Sequence, residues 1–391
     1  MLHTVRRINH PLLAPSLGCQ KTLSSWHFGT APTGDNPAQK RPKVYIQASL
    51  HADELPGMLV AHHLRSLLEA ADALGDVPGE VVLVPVANPI GLAQRVDHRP
   101  MGRFDLDTAE NFNRHYPDFV GALFDHLRTA FTHDAASNVA MVRQALRDQL
   151  QRWTPTTELH SLRHTLLGLA HDADYVLDLH CDCEGALHLY TEEACWSALE
   201  PLARRLQCAA VLLAKNSGGN PFDECLSGVW WKLADACAAA GLQVPLPQAC
   251  CSTTIELRGE ADVCHSLAQT DAQAIFAFLH DMGVVRGAPL SPLLPPARPL
   301  PCQPTPLAGS QTLHTPVPGV VVFAAQVGQR LAVGDLVAEI IDPLSRHTHR
   351  VEAGVAGVLY ARIRDRYVHA GGELGKIAGA TPFRTGALLG A

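Results

Sequence analysis

Short apolar runs that alternate with helical patterns constrain the fold of this chain more than any other feature. The runs are rich in valine and leucine and lie at 44–49, 80–89, 175–180, 209–215 and 252–257. Residues 55–74 and 265–283 instead repeat apolar side chains at helical spacing. Largely apolar runs suit strands covered on both faces, and strands that alternate with helices favour parallel pairing. The sequence therefore predicts an α/β fold with a mostly parallel mixed sheet flanked by helices.

The character of the sequence changes after residue 287. Residues 288–311 are dense in proline, which predicts a semi-stiff linker. Beyond it, short valine-rich runs alternate with glycine turns, and three segments recur in similar form 38 positions later: 319–320 at 357–358, 334–335 at 372–373, and Leu336 at Leu374. Two similar half-units predict a small, pseudo-symmetric, all-β domain over 312–391, separate from a larger domain over 1–287.

Charge and composition argue against several classes of function. The formal net charge is −7, so there is no basic excess for binding nucleic acid or an anionic membrane surface. No stretch approaches the about eighteen unbroken apolar residues of a transmembrane helix, and the first residues lack the apolar core of a signal peptide. The eleven scattered cysteines fit reduced thiols better than a disulfide framework. We therefore expect a cytoplasmic protein without nucleic-acid or membrane partners, and the sequence leaves a homo-oligomer open.

The first predicted strand ends abruptly in the polar sequence HADE, residues 51–54. His51 and Glu54 are spaced so that an opening helical turn places both on one side, which suits two ligands of one metal ion. The alternative is a polar loop that caps the next helix. The same spacing occurs at His349 and Glu352, but that pair follows no buried strand, and we interpret it as coincidence.

His180, at the end of the predicted strand 175–180, is the best candidate for a third ligand. Catalytic zinc sites use three protein ligands and leave a position for water, whereas structural sites use four. Asp178 lies on the same strand face and could orient a histidine ligand from behind. The alternative is a strand-end histidine bonded to a backbone carbonyl, and His188 is a weaker candidate ligand.

Glu256 is the only charged residue in the run 250–257. A carboxylate in such surroundings needs a partner or a proton. It could therefore act as a general base for an activated water. The alternative is an ion pair with the neighbouring Arg258.

Residues 95–117 form a polar, arginine-rich segment that follows the second predicted strand and should lie over the site. Arg114 beside Asn113 offers a guanidinium fork and an amide donor to a carboxylate. Arg103 could polarise a scissile carbonyl and stabilise the oxyanion that forms. In the alternative, the segment is a solvated loop whose arginines pair with its own acids, Asp105, Asp107 and Glu110.

Taken together, these motifs resemble the succinylglutamate desuccinylase/aspartoacylase family of the zinc carboxypeptidase clan, over residues 40–285. The resemblance is carried, in chain order, by HADE (51–54), NPIG (88–91), ENFNRHYP (110–117), LDLHCD (177–182) and TTIELRGE (253–260). It implies that one zinc ion per chain is bound by His51, Glu54 and His180. It further implies that Glu256 activates water, that Asn113 and Arg114 hold a substrate carboxylate, and that Arg103 polarises the carbonyl. The segment between Arg103 and Asn113 is longer than the family pattern, which leaves Arg95 and Arg99 as alternatives.

Residues 315–342 resemble half of a barrel-sandwich domain of the biotinyl/lipoyl type. Carrier domains place a modifiable lysine in the hairpin between the two halves, but residues 339–350 contain none. Instead of carriage, we expect a lid or an oligomer contact.

The resemblance implies a zinc-dependent hydrolase that cleaves the amide bond of an N-acyl amino acid or a similar small, carboxylate-bearing amide. One alternative is a metallocarboxypeptidase that acts on peptide C-termini, and another is a non-catalytic binding module built around the β-domain. A C-terminal domain that narrows the pocket would favour small substrates over peptides. The ligand set suits zinc best without excluding cobalt, nickel or manganese.

Overall fold

A sheet of nine strands runs through the larger part of the chain. The structure is a computed structural model that describes residues 5–29, 41–287 and 298–389. Its first twelve strands are β1 (Arg6–Pro11), β2 (Thr22–Gly29), β3 (Lys43–Ala48), β4 (Glu80–Val84), β5 (Arg95–Val96), β6 (Arg99–Pro100), β7 (Tyr175–Asp182), β8 (Glu184–Gly185), β9 (His188–Glu192), β10 (Ala210–Ala214), β11 (Cys251–Gly259) and β12 (Thr305–Pro306). The helices are α1 (Pro56–Ala73), α2 (Pro89–Leu92), α3 (Val120–Leu127), α4 (Ala135–Arg152), α5 (Glu158–Ala170), α6 (Trp196–Leu206), α7 (Phe222–Ala239) and α8 (His265–Asp281).

The strand order is β1-β2-β4-β3-β7-β11-β9-β10-β12. Pairing is parallel through β4, β3, β7 and β11, and again through β9, β10 and β12. Antiparallel pairs occur at one edge, between β1, β2 and β4, and within the sheet between β11 and β9. This arrangement confirms the predicted α/β class and its mostly parallel mixed sheet.

Both faces of the sheet are covered, which explains why its strands read as continuous apolar runs. Along β3, Val44 and Ile46 join the core that also holds residues of α1, α6 and α8. Tyr45, on the opposite face, belongs to the core shared with α3, α4, α5 and α7. The predicted strand at 80–89 is shorter than expected. It ends at Val84, and Asn88 instead caps α2 by accepting a hydrogen bond from Gly91 N at 2.8 Å.

The sheet brings distant polar residues to one place. Because β7 lies between β3 and β11, the turn after β3 is next to the end of β7. Glu256 on β11 pairs in register with His180 on β7 and, on its other side, with His188 on β9. The carboxyl ends of parallel strands are where sites form in open α/β sheets.

The C-terminal strands form two small sheets that repeat each other. They are β13 (Ser310–His314), β14 (Gly319–Phe323), β15 (Arg330–Leu331), β16 (Leu336–Ile341), β17 (Thr348–Glu352), β18 (Gly357–Arg362), β19 (Tyr367–Val368) and β20 (Glu373–Gly379). One sheet has the order β13-β20-β18-β15 and the other β17-β16-β14-β19. The strands of the first half, β13 to β16, correspond one by one to those of the second half, β17 to β20. When each strand is replaced by its counterpart, one order becomes the other. The internal repeat in the sequence is therefore a structural repeat. The predicted small all-β domain is thereby confirmed.

The boundaries of the linker stay a prediction, because residues 288–297 lie outside the described residues. Within the described part of the predicted linker, β12 pairs with β10 at the edge of the large sheet. The first strand of the β-domain, β13, begins at Ser310, two residues before the predicted domain boundary. None of the helices in the described ranges has both the length and the apolar character needed to cross a membrane.

The β-domain is joined to the large sheet by strand pairing and ion pairs. The two-residue strand β8 pairs with β18. Glu184 on β8 accepts hydrogen bonds from Arg362, at 2.6 Å, and from Arg366. Arg364 donates to Glu260, just past β11. These contacts hold the β-domain beside the ends of β7 and β11.

Candidate metal centre and active site

The chain turns sharply after β3. Ser49 has a φ of 60°, a left-handed conformation that few residues other than glycine adopt. Its hydroxyl donates to Glu54 O at 2.7 Å, and Glu54 N donates to His51 O at 3.1 Å. This closed turn presents the side chains of His51 and Glu54 together, before α1 begins.

Three buried side chains converge at this turn. Glu54 Oε1 lies 2.9 Å from His51 Nδ1, and Glu54 Oε2 lies 2.8 Å from His180 Nδ1. All three residues are at most 5% exposed. Burial alone would raise the pKa of Glu54, but the two histidines lower it well below its usual value. The structure thus brings together the three residues that the sequence singled out as metal ligands.

Each histidine is held from behind by an oxygen atom. His51 Nε2 lies 2.9 Å from Asn111 Oδ1, and His180 Nε2 lies 3.1 Å from Asp178 Oδ2. Asp178 is fixed in turn by Gln47, which donates to its other oxygen at 3.0 Å. A ring proton on each Nε2 would leave both Nδ1 lone pairs for a metal ion, and the three residues each offer a ligand atom within 4.8 Å of the others. Metal-binding histidines are oriented by such outer partners, so these residues fit a metal ion.

Glu256 lies beside this group with one oxygen unsatisfied. Within the described part of the chain, its Oε2 is buried and accepts no hydrogen bond. Burial first, and then the neighbouring carboxylates of Asp182 and Glu54, raise its pKa to about 7. The alternative ion pair with Arg258 does not form, because Arg258 binds Asp271 through two contacts of 2.7 and 3.0 Å.

The extra residues between Arg103 and Asn113 form a short loop that is closed at its base. Residues 104 and 111 pair as a β-bridge, and Phe112 N donates to Arg103 O at 3.1 Å. The chain therefore returns to its starting point, and Arg103 Nη1 reaches 3.4 Å from Glu54 Oε1. Arg95 and Arg99, the alternatives, are exposed on the β5–β6 ribbon and do not line the pocket.

Asn113 and Arg114 reach the same pocket. Asn113 Oδ1 accepts a hydrogen bond from Phe222 N at 2.8 Å, which ties it to the start of α7. The Arg114 side chain passes against Gly219, where a Cβ atom would lie 2.8 Å from Arg114 Cδ. Gly219 also has a φ of 75°, a left-handed conformation. Both this backbone conformation and the close approach of Arg114 favour glycine at the position. The acids of the loop find other partners: Glu110 binds Arg163 at 2.8 Å, and Asp105 accepts from Thr108.

A cavity of about 300 Å³ connects these groups. It is lined by His51, Glu54, His180, Glu256, Arg103, Asn113 and Arg114. Both domains contribute, because Leu307, Glu373, Lys376 and Leu389 line it as well. This volume is at the lower end of the range for small-molecule sites.

Two polar residues near the site, Asn111 and Lys376, were not found from the sequence, and His188 was found only as a weaker candidate ligand. Asn111 lies within ENFNRHYP, and its position there is a signal that could have pointed to it. His188 depends on the antiparallel placement of β9, and Lys376 depends on how the β-domain docks. Neither arrangement leaves a local pattern in the sequence.

The second histidine–glutamate pair is confirmed as coincidence. His349 and Glu352 lie on β17, where residues three apart face opposite sides of the sheet. They cannot share a metal ion there.

Comparison with known proteins places the fold. The sequence profile of the succinylglutamate desuccinylase/aspartoacylase catalytic domain matches residues 40–281. No curated protein matches the sequence.

Solved structures resemble nearly the whole chain, including the β-domain. A candidate succinylglutamate desuccinylase/aspartoacylase from Shewanella frigidimarina NCIMB 400 is 25% identical, with a TM-score of 0.81, over 97% of this chain and 98% of that chain. A protein of the same family from Shewanella amazonensis SB2B is 28% identical, with a TM-score of 0.79, over 96% and 98%. The product-bound ectoine utilization protein EutE (DoeB) from Ruegeria pomeroyi shares the fold at 14% identity and a TM-score of 0.63, over 97% of each chain.

Proposed function

The chain belongs to the succinylglutamate desuccinylase/aspartoacylase family, and on this premise we propose that it is a zinc-dependent hydrolase that removes the acyl group from an N-acyl amino acid or a similar small, carboxylate-bearing amide. The observation that carries the proposal is the buried, unsatisfied Oε2 atom of Glu256 beside the group formed by His51, Glu54 and His180. A metal site that also has a base and faces a small pocket has what amide hydrolysis requires.

His51, Glu54 and His180 would hold the zinc ion. Two nitrogen ligands and one carboxylate are a donor set that zinc accepts in catalytic sites. When bound, zinc supplies a Lewis acid that makes water nucleophilic at neutral pH and polarises the substrate carbonyl.

The remaining residues supply proton transfer and positioning. Glu256 takes a proton from the attacking water and delivers it to the leaving amine nitrogen, and its raised pKa suits both steps. Arg103 donates hydrogen bonds to the carbonyl oxygen as negative charge develops there. Asn113 and Arg114 hold the substrate carboxylate and so fix the amide next to Glu256.

The lining of the pocket favours a small substrate over a peptide. Leu307, Lys376 and Leu389 from the C-terminal part of the chain limit a cavity of about 300 Å³. A metallocarboxypeptidase needs an open groove for the rest of its peptide. A purely non-catalytic role would leave the ligand set and Glu256 without a purpose.

The proposal is tested by incubating the zinc-loaded protein with N-acetyl and N-succinyl amino acids and, in parallel, with short peptides. We expect release of the free amino acid from at least one acylated substrate, at a higher kcat/KM than for any peptide. Faster cleavage of peptides would instead indicate a carboxypeptidase. Absence of hydrolysis by the zinc-loaded protein would support a binding module.

Replacing Arg114 with alanine should chiefly weaken substrates that carry a free carboxylate. A charge-assisted hydrogen bond contributes about 1.5–3 kcal/mol, which corresponds to about a 10–100-fold loss in kcat/KM. The control is the carboxamide version of the same substrate, which should lose little. Equal losses for both substrates would remove Arg114 from this role.

Hydrolysis should increase with pH as Glu256 loses its proton. Burial and nearby carboxylates raise its pKa from 4.5 to about 7, and a bound divalent cation would lower it again. We therefore expect kcat/KM to rise along a limb with its midpoint between 4.5 and about 7. Zinc content measured at each pH separates this ionisation from loss of the metal. A constant rate from about pH 4 to about pH 8, at constant zinc content, would contradict the assignment of the base.

A further inference from the structure

We propose that the chain binds a second divalent metal ion, held by Asp182, His188 and Glu256, and that this ion inhibits hydrolysis. These residues are separate from the three that would hold the first ion, and Asp182 and Glu256 line the same pocket. The inhibition rests on the proposed function, because it requires Glu256 to be the base. The binding of the second ion does not.

The histidine of this cluster is arranged as a ligand. His188 is fully buried, and its Nδ1 lies 2.8 Å from Ala186 O, to which it donates a proton. In the neutral ring, Nε2 then carries the lone pair. Nε2 has no hydrogen-bond partner within the described ranges, and it lies 3.4 Å from Asp182 Oδ2. Two electron-pair donors that face each other, one of them fully buried, are stabilised by a cation between them.

The distance between His188 and Asp182 is longer than an ordinary hydrogen bond and suits two ligands of one metal ion. Hydrogen bonds of this kind are about 2.7–3.2 Å long. Ligand atoms at about 2.1 Å from a tetrahedral ion lie about 3.4 Å apart, as do His188 Nε2 and Asp182 Oδ2. The carboxylate of Glu256 completes the cluster, in which the three donor atoms all lie within 4.8 Å of one another.

The polar atoms of the first group of ligands have close polar neighbours, in contrast to those of this cluster. Both oxygens of Glu54 contact histidines at 2.8–2.9 Å, and Cys181 N donates to its Oε2 at 3.1 Å. In the second cluster, His188 Nε2 and Glu256 Oε2 both lack a partner in the part of the chain that the structure describes. These two atoms belong to different strands, β9 and β11, that pair with each other.

The charges also suit a divalent cation. Two carboxylates and one neutral imidazole form the donor set, which zinc and manganese both accept. Lys376 Nζ lies 3.9 Å from Asp182 Oδ1, on the carboxylate oxygen that does not face His188.

Occupation of this cluster would remove the base from the reaction. A Glu256 oxygen that is bound to a metal ion cannot accept a proton from water. Excess zinc should therefore slow hydrolysis by filling the second site, without displacing the first ion. The competing explanation is a protonated His188 paired with Asp182, which predicts a single ion per chain at every zinc concentration.

Zinc content at low and high buffered free zinc tests the binding. The wild type should hold about one zinc ion per chain at low free zinc and about two at high free zinc, whereas His188→Gln should remain at about one. The control is His63→Gln, which disrupts an exposed histidine pair in which His63 Nε2 lies 3.0 Å from His265 Nδ1. This variant should still reach two. A single ion in the wild type at saturation, or two in His188→Gln, would overturn the proposal.

Turnover over the same zinc range tests the inhibition. We expect the wild-type rate to fall at least about tenfold as the second ion binds, because general-base catalysis is worth about 10²–10⁴-fold. The rate of His188→Gln, compared with its own value at low zinc, should stay level. If no substrate is hydrolysed at all, the proposed function is wrong. The number of zinc ions per chain still decides whether the second metal site exists. If His188→Gln does not fold, the wild-type count and Asp182→Asn serve instead.

Discussion

Replacing Glu256 with glutamine should reduce kcat by at least about a hundredfold and leave zinc bound at the first site. Glutamine keeps the shape of the side chain, so the strand pairing of β11 with β7 and β9 should be preserved. It cannot accept the proton of the attacking water. The measurement is kcat on the best N-acyl substrate, together with zinc content by elemental analysis at low free zinc.

Glu260→Gln provides the matched control for this variant. Glu260 also lines the pocket, but it is bound by Arg364 of the β-domain. We expect it to lose much less activity than Glu256→Gln. Normal turnover by Glu256→Gln, or an equal loss in both variants, would show that Glu256 is not the base.

Replacing His180 with alanine should abolish tight zinc binding and, with it, hydrolysis. Removing even an outer partner of a ligand costs about 10–100-fold in metal affinity, and removing a ligand costs more. His180 is also the ligand most distant in sequence from the other two, so its loss tests whether the strands assemble the site. The measurement is zinc per chain after dialysis against a weak chelator.

His349→Ala is the control for this second variant. It removes the histidine of the other histidine–glutamate pair, which lies on β17 outside the pocket. Zinc content and activity should match the wild type. Retention of zinc by His180→Ala would contradict the ligand assignment.

The central part of the fold was predictable because it depends on local patterns. The strands β3, β7, β10 and β11 are apolar runs long enough to identify, and α1 and α8 have clear helical spacing. The internal repeat identified the β-domain, since each half must supply the same strands to close it. His51, Glu54 and Glu256 stood out because charged groups interrupt or end buried strands.

The rest of the site depends on contacts between distant segments. His188 faces Glu256 only because β9 runs antiparallel to β11, against the trend of the sheet. Lys376 reaches the pocket only because β8 pairs with β18. The segment 104–111 is longer than the family pattern, but the β-bridge between residues 104 and 111 brings the chain back next to Arg103. None of these pairings follows from the spacing of residues in the sequence.

The most direct test of the metal-dependent reaction is a zinc titration of metal-free wild-type protein, with hydrolysis of an N-acyl amino acid as the readout. The ligand set of His51, Glu54 and His180 predicts no activity without metal and a linear rise that ends at about one zinc ion per chain. Hydrolysis that persists after complete removal of metal would contradict the account. So would stoichiometric zinc binding without hydrolysis of any N-acyl amino acid.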